Sequence, residues 1–158
     1  MKFSDFVNRD AIRAGITADD KEGVIREMTK SLVDAGKIAA SEYESIVKHV
    51  LKREELGSTG IGRGIAVPHA KHASVDRLVG TVAVSNAGVD FDSLDGEKVQ
   101  LFFLLISPPD RPGDHLRALE NVSRQLRNDT FCKFLKRARS AEEIVQLLDE
   151  ADNHQFSA

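Results

Sequence analysis

The stretch Val99 to Ile106, Val-Gln-Leu-Phe-Phe-Leu-Leu-Ile, is apolar at every position but Gln100. A strand with one face in water alternates polar and apolar residues; this one does not, so it must be covered on both faces. Its unbroken part, Leu101 to Ile106, is far too short to cross a bilayer, which takes roughly 20 apolar residues. A chain built around such a strand needs amphipathic helices for two sides of one sheet.

The helices are legible on either side of it. Val24, Met28 and Leu32 recur every fourth residue, with Asp19 or Asp20 as the cap and Gly36 at the stop. Ser41-x-x-Glu44 reads as a capping box opening a second helix through Ile46, Val47, Val50 and Leu51 to about Leu56. Leu116, Leu119, Val122 and Leu126 give a third, Thr130 to Ala138 a short fourth, and Ser140-x-x-Glu143 caps a last one carrying Ile144, Leu147 and Leu148. Between them, Ile65 to Val67 is a short strand closed by Pro68. Leu78 to Ser85 is a second strand, with a turn expected at Asn86 to Gly88. Residues 3–16 fit either a strand or a loose turn. The expectation is a single α/β domain over residues 1–152 with a frayed tail, 153–158.

Charge narrows the function classes. With 22 Lys and Arg against 25 Asp and Glu the net charge is −3, without the basic excess of a nucleic-acid binder. The start, MKFSDFVNRD, has no apolar signal core, and no segment suits membrane insertion, so the expected compartment is the cytoplasm. The single cysteine, Cys132, cannot form an internal disulfide and reads as a packed thiol.

Four of the 11 glycines fall within Gly57-Ser-Thr-Gly-Ile-Gly-Arg-Gly64. The segment fails the P-loop template, because Arg63-Gly64 stand where Lys-Ser/Thr belong. It also fails the dinucleotide fingerprint, because it follows a helix and precedes a strand. No nucleotide cofactor is expected. It is either a bent connection with positive φ angles or a set of exposed N–H groups able to hold an anion. Just beyond it, Pro68 holds His69 at a strand end. That residue is either a surface turn histidine or a nucleophile, since neutral imidazole attacks near pH 7. His115 follows the loop Ser107 to Gly113 at a helix start, where anions are favoured. Arg53 is either a helix-dipole partner or a cation aimed at the same anion, and Ser58 or Thr59 are candidate hydroxyl donors to it. His69, His72 and His115 invite a zinc reading, but no carboxylate or cysteine completes a recognised spacing, so no metal is expected. His49 and His154 suggest no role.

The run Gly57-Ser-Thr-Gly-Ile-Gly-Arg-Gly-Ile-Ala-Val-Pro-His69, with Arg53-Glu54 before it, resembles the enzyme IIA domain of the bacterial phosphoenolpyruvate-dependent sugar phosphotransferase system. The type is mannitol/fructose, nearest its nitrogen-regulatory branch. Leu104-Leu-Ile-Ser-Pro108, His115-Leu116-x-x-Leu119 and Ser140-x-Glu-Glu-Ile144 extend the likeness over roughly Phe3 to Asp149. The resemblance implies a mixed β-sheet with helices packed on both faces. It implies that His69 accepts a phosphoryl group on Nε2 from a phosphorylated HPr-type carrier, with His115 as second active-site histidine and Arg53 as active-site arginine. It implies a regulatory role, or alternatively onward transfer to a separate enzyme IIB of a fructose or mannitol permease. Ala70 stands where the family often has Gly, so the turn after His69 is expected to differ slightly.

Overall fold

The computed structural model describes residues 1–156. Five helices, α1 (Lys21–Asp34), α2 (Tyr43–Glu55), α3 (Pro112–Gln125), α4 (Asp129–Arg137) and α5 (Ala141–Asp152), pack on five strands. The strands are β1 (Gly60–Gly62), β2 (Ile65–Ala66), β3 (His69–Lys71), β4 (Val79–Val89) and β5 (Val99–Ser107). The expected α/β class, a mixed sheet with helices on both faces, is the one found. Among the described residues no helix is long and apolar enough to cross a membrane.

β5 is the spine. β4 pairs with it antiparallel, from Val79 opposite Ile106 to Val89 opposite Val99. β2 and β3 both pair with it parallel on the other side, Ile65 opposite Leu101 and His69 opposite Leu105. The offset is constant, so β2 and β3 are one strand path broken at Val67-Pro68, where proline has no N–H to give the ladder. β1 runs antiparallel outside β2. The N-terminal segment joins β4 through isolated bridges at Val7 and Arg13 between short 3-10 turns, which resolves the ambiguity of residues 3–16, and Asp20 bridges Asp90 just past β4.

The side-chain period of β5 divides the core. Leu101, Phe103 and Leu105 pack with Phe3, Phe131 and the inner faces of α3, α4 and α5. Phe102, Leu104 and Ile106 pack with Val24, Ile25, Met28, Ile46 and Val50 of α1 and α2. All six strand residues are fully buried. At roughly 1.5–3 kcal/mol each, their burial contributes on the order of 10 kcal/mol, and it needs both helical layers.

Helix ends follow local chemistry in most places. Asp20 caps α1 by accepting from Gly23 N. Gly36, at φ +76°, lets Lys37 N reach Leu32 O and Gly36 N reach Val33 O, closing the last turn as a Schellman motif. Ser140 caps α5 by accepting from Glu143 N. Three expectations are corrected. The Ser41 capping box is absent: a 3-10 turn (Ala40–Glu42) absorbs Ser41, and α2 begins at Tyr43 with no side-chain cap. Asn86 to Gly88 is no turn but a register shift inside β4, where Ser85 Oγ accepts from Gly88 N. Residues 153–156 do not fray: His154 N and Gln155 N donate back to Ala151 O and Glu150 O, and the Phe156 ring packs tilted at 5.1 Å against Phe131. Residues 157 and 158 lie outside the described part.

Candidate functional site

His69 opens β3, and side chains two apart on a strand share a face. Ile65, Val67 and His69 therefore point toward α3, while Ala66 and Ala70 point toward α1 and α2. The half-buried His69 ring donates its Nδ1–H to Val67 O at 2.8 Å. That bond fixes the neutral tautomer and leaves Nε2 with a lone pair and no hydrogen-bond partner among the described residues.

His115 lies in the first turn of α3, and its ring centroid is 5.3 Å from that of His69, inclined at 61°. It is 6% exposed and held through Nδ1 by Ser107 Oγ at 2.5 Å. Ser107 ends β5 as His69 opens β3, so the parallel pairing brings the two imidazoles together.

The electrostatics keep both rings neutral near pH 7. Burial lowers the His69 pKa, and the nearby Arg53 cation lowers it further, while the Val67 carbonyl and the Glu54 carboxylate oppose the shift. His115 is pushed down to about 4, first by burial and then by the charges of His69 and Lys71. The pocket thus draws positive charge from Arg53, from Lys71 and from the N-terminal end of α3. Lys71 was not singled out in the sequence; period-2 spacing from His69 was the signal that would have found it.

Of the two readings of the glycine segment, its positive φ angles and internal bonds support the bent connection. Ser58 Oγ donates to Phe91 O at 2.6 Å and accepts from Gly60 N. Thr59 Oγ1 and N both donate to Glu54, whose carboxylate is 6% exposed. Gly57 N donates to Glu54 O, Val67 N to Thr59 O and Arg63 N to Asp95. These hydroxyl protons and N–H groups are spent on internal acceptors, so none of them is free for an anion. Gly60 is needed because a Cβ there would lie 2.2 Å from Ser93 Oγ. Gly62 is needed for its φ of +95°. The loop is a scaffold stapled to residues 91–95. It ends beside Arg53, which gives one N–H to Gly57 O at 2.8 Å and keeps its other donors. Glu54, which anchors the scaffold, is the second residue that sequence reasoning missed.

His72 leaves the site altogether. It points to the opposite face, where Nδ1 accepts from Ser74 N, so Nε2–H donates to Ser45 Oγ at 2.8 Å. A trio of His69, His72 and His115 therefore cannot converge on one ion. His49 stacks edge-on at 4.7 Å against His72, also away from His69. The segments that build the site carry four exposed apolar side chains: Leu56, Ile61, Leu94 and Leu116. A neutral, oriented imidazole with a free Nε2, flanked by a second imidazole and two cations, is equipped to attack an electrophile that carries negative charge.

Residues 5–151 match the family described as phosphoenolpyruvate-dependent sugar phosphotransferase system, EIIA 2. A nitrogen regulatory protein of Bradyrhizobium diazoefficiens is 32% identical over 148 residues, 94% of this chain and 95% of that protein. The fructose-specific EIIABC component of Bacillus subtilis is 36% identical over 152 residues, 96% of this chain but 24% of that protein. The crystal structure of the nitrogen regulatory protein IIA-Ntr from Neisseria meningitidis superposes with a TM-score of 0.83 at 27% identity, covering 92% of this chain and 98% of that one.

Proposed function

The chain belongs to the EIIA 2 family of the phosphoenolpyruvate-dependent sugar phosphotransferase system, and on that premise we propose that His69 is the residue that carries the phosphoryl group. The observation that supports this most directly is the bond from His69 Nδ1–H to Val67 O, which turns an unprotonated Nε2 outward. A phosphorylated HPr-type protein presents its phosphohistidine. Nε2 of His69 attacks phosphorus in line, the donor's P–N bond breaks, and its electron pair returns to the donor imidazole. Nδ1 keeps its proton throughout and continues to donate to Val67 O.

Charge on the three equatorial oxygens is met by Arg53, Lys71 and the α3 N-terminus, with His115 Nε2 facing the same space. Ser58 and Thr59 act by holding the loop that presents Arg53. No bond to a nucleotide or a metal is needed for this transfer. The exposed Leu56, Ile61, Leu94 and Leu116 provide apolar contact for a donor that binds briefly. Residues 1–152 serve as one phosphocarrier unit.

The signal is regulatory in this reading: phosphorylation adds about −1.5 to −2 of charge at the site and alters partner affinity. The near-complete mutual coverage with a nitrogen regulatory protein supports it. The fructose EIIABC relative supports the second reading, onward transfer to an enzyme IIB.

Incubation with enzyme I, an HPr-type carrier and labelled phosphoenolpyruvate tests the assignment. The protein should take up label that is acid-labile and base-stable, as a phosphoramidate is. His69→Ala should remove it, and His115→Ala should slow uptake and leave the acceptor in place. Label that survives His69→Ala overturns the proposal. Chase with a purified fructose-type enzyme IIB separates the two roles by whether the label moves.

A further inference from the structure

At the far end of the sheet from His69 lies a cleft of about 710 Å³ walled by Ala14, Gly15, Asn86, Lys136, Arg137 and Arg139. Val99, which opens β5 there, is six residues from Leu105, the partner of His69, or about 20 Å along the strand. Three of the six lining residues are cations and none is a carboxylate, in a chain whose net charge is −3.

The ordinary explanation of such cations is that they complement the C-terminal end of a helix dipole, and Lys136 and Arg137 do close α4. It leaves two facts over. Arg139 lies beyond α4, outside the reach of its last turn. Arg137 and Arg139 are both exposed, and neither has a carboxylate within salt-bridge distance among the described residues. Arg9, Arg26, Arg63, Arg77, Arg111 and Arg117 have one, and Arg13, Arg53, Arg124 and Arg127 lack one too among the described residues, but only Arg137 and Arg139 stand together in one cleft. Lys136 is anchored: its ammonium donates to Arg63 O, and Arg63 is held in turn by Asp129 and Leu126 O. One wall of the cleft is thus fixed, and two guanidinium forks stand beside it with their donors free. The exposed Asn86 amide and the backbone of Gly15 add neutral polar groups.

We propose that this cleft is a second anion site, for a small molecule that carries a pyrophosphate group. Guanidinium forks match phosphate oxygens two at a time, and three cations balance the about three negative charges of pyrophosphate near pH 7. The volume lies within the range of small-ligand sites. The adjoining hollow that shares Lys136 adds Arg63 and Lys98 against one carboxylate, Glu97, while Glu142 and Glu143 in the first turn of α5 follow Arg139. A concave spot with two free guanidinium forks suits a compact polyanion that can enter it, in a chain whose net charge of −3 offers no general attraction for a nucleic acid or an anionic lipid surface.

Titration of the full chain with inorganic pyrophosphate, followed by calorimetry and by backbone amide shifts, tests this. Saturable binding is expected, with shifts at Gly15 and Asn86 and an affinity unchanged by His69→Ala. The double variant Arg137→Ala/Arg139→Ala should bind at least tenfold more weakly. Both side chains are exposed, so its thermal unfolding should match the wild type. Lys133→Ala, which removes an exposed α4 cation outside the cleft, should leave the affinity unchanged. Absence of saturable binding overturns the proposal, as does equal weakening by Lys133→Ala or shifts confined to His69 and His115. Retention on anionic phosphatidylglycerol vesicles that the double variant abolishes, without pyrophosphate binding, also overturns it, by making this a membrane-facing surface.

Discussion

Acidification should destabilise the fold through His115 before most carboxylates titrate. Its pKa is 6.5 when unfolded and about 4 in the folded protein. The sign follows from proton counting: between those values the unfolded chain binds the proton and the native chain refuses it, so unfolding is favoured as pH falls. The loss begins near the unfolded value. It reaches about 1.4 kcal/mol at about pH 5.5 and about 2.6 kcal/mol at about pH 4.5, and levels off near 3.4 kcal/mol below the folded value. The physical source is the 6% exposure of the ring and the neighbouring His69 and Lys71, none of which a partner carboxylate offsets. Urea unfolding of wild type and His115→Asn at about pH 7.5 and about pH 5.5 isolates this contribution. Asparagine keeps an acceptor for Ser107 and does not titrate. The wild type should lose about 1.4 kcal/mol more than the variant over that interval. Equal losses would show that His115 is protonated in the native state and that the pocket is wetter than its geometry indicates.

Two further outcomes follow from the same site. The midpoint of the acid loss of phosphoryl uptake should lie below pH 6.5, because the His69 pKa lies below that ordinary value and only the neutral ring attacks; initial rates of label uptake against pH, with the donor in excess, would read it. A rate already halved above pH 6.5 would contradict it. Glu54→Ala should cost about 2–3 kcal/mol in urea unfolding, since it strands the buried Thr59 N–H and hydroxyl that donate to that carboxylate. It should also slow uptake by loosening the loop that ends at Arg53, and an unchanged stability would remove Glu54 from the scaffold.

The layered architecture was legible because its signal is periodic and long. β5 lacks alternation, α1 and α2 repeat at helical spacing, and those facts alone demand two helical layers. What escaped was decided by partners distant in sequence. The Ser58 hydroxyl donates to Phe91, 33 residues on, and Gly60 faces Ser93. A glycine-rich segment that serves as a stapled scaffold has the same composition as one that cradles an anion. The Ser41-x-x-Glu44 pattern satisfied the capping rule locally, but a preceding 3-10 turn took Ser41 first. His69 was legible by its place after Pro68 at a strand end. Its pairing with His115 rests on β3 lying parallel to β5, a fact of topology that no local pattern carries.

The tautomer of His69 also comes from topology. Along an extended strand the N–H and C=O of one residue point to the same edge, and successive residues alternate. Pro68 O accepts from Leu105 N, so residue 68 faces β5; Val67 N donates to Thr59 O, so residue 67 faces outward. The pairing of β1 with β2 goes no further than Gly60 opposite Ala66, and Thr59 supplies the last acceptor beyond it. The Val67 carbonyl therefore emerges on an edge that no strand covers, two residues before a histidine on the same path. His69 Nδ1–H takes it, and Nε2 is left facing open space. Had β1 continued by one more pair, Val67 O would have been consumed by the ladder and the ring left free to choose its tautomer. Ending the outer strand early thus both orients the His69 ring and leaves the edge beside it uncovered.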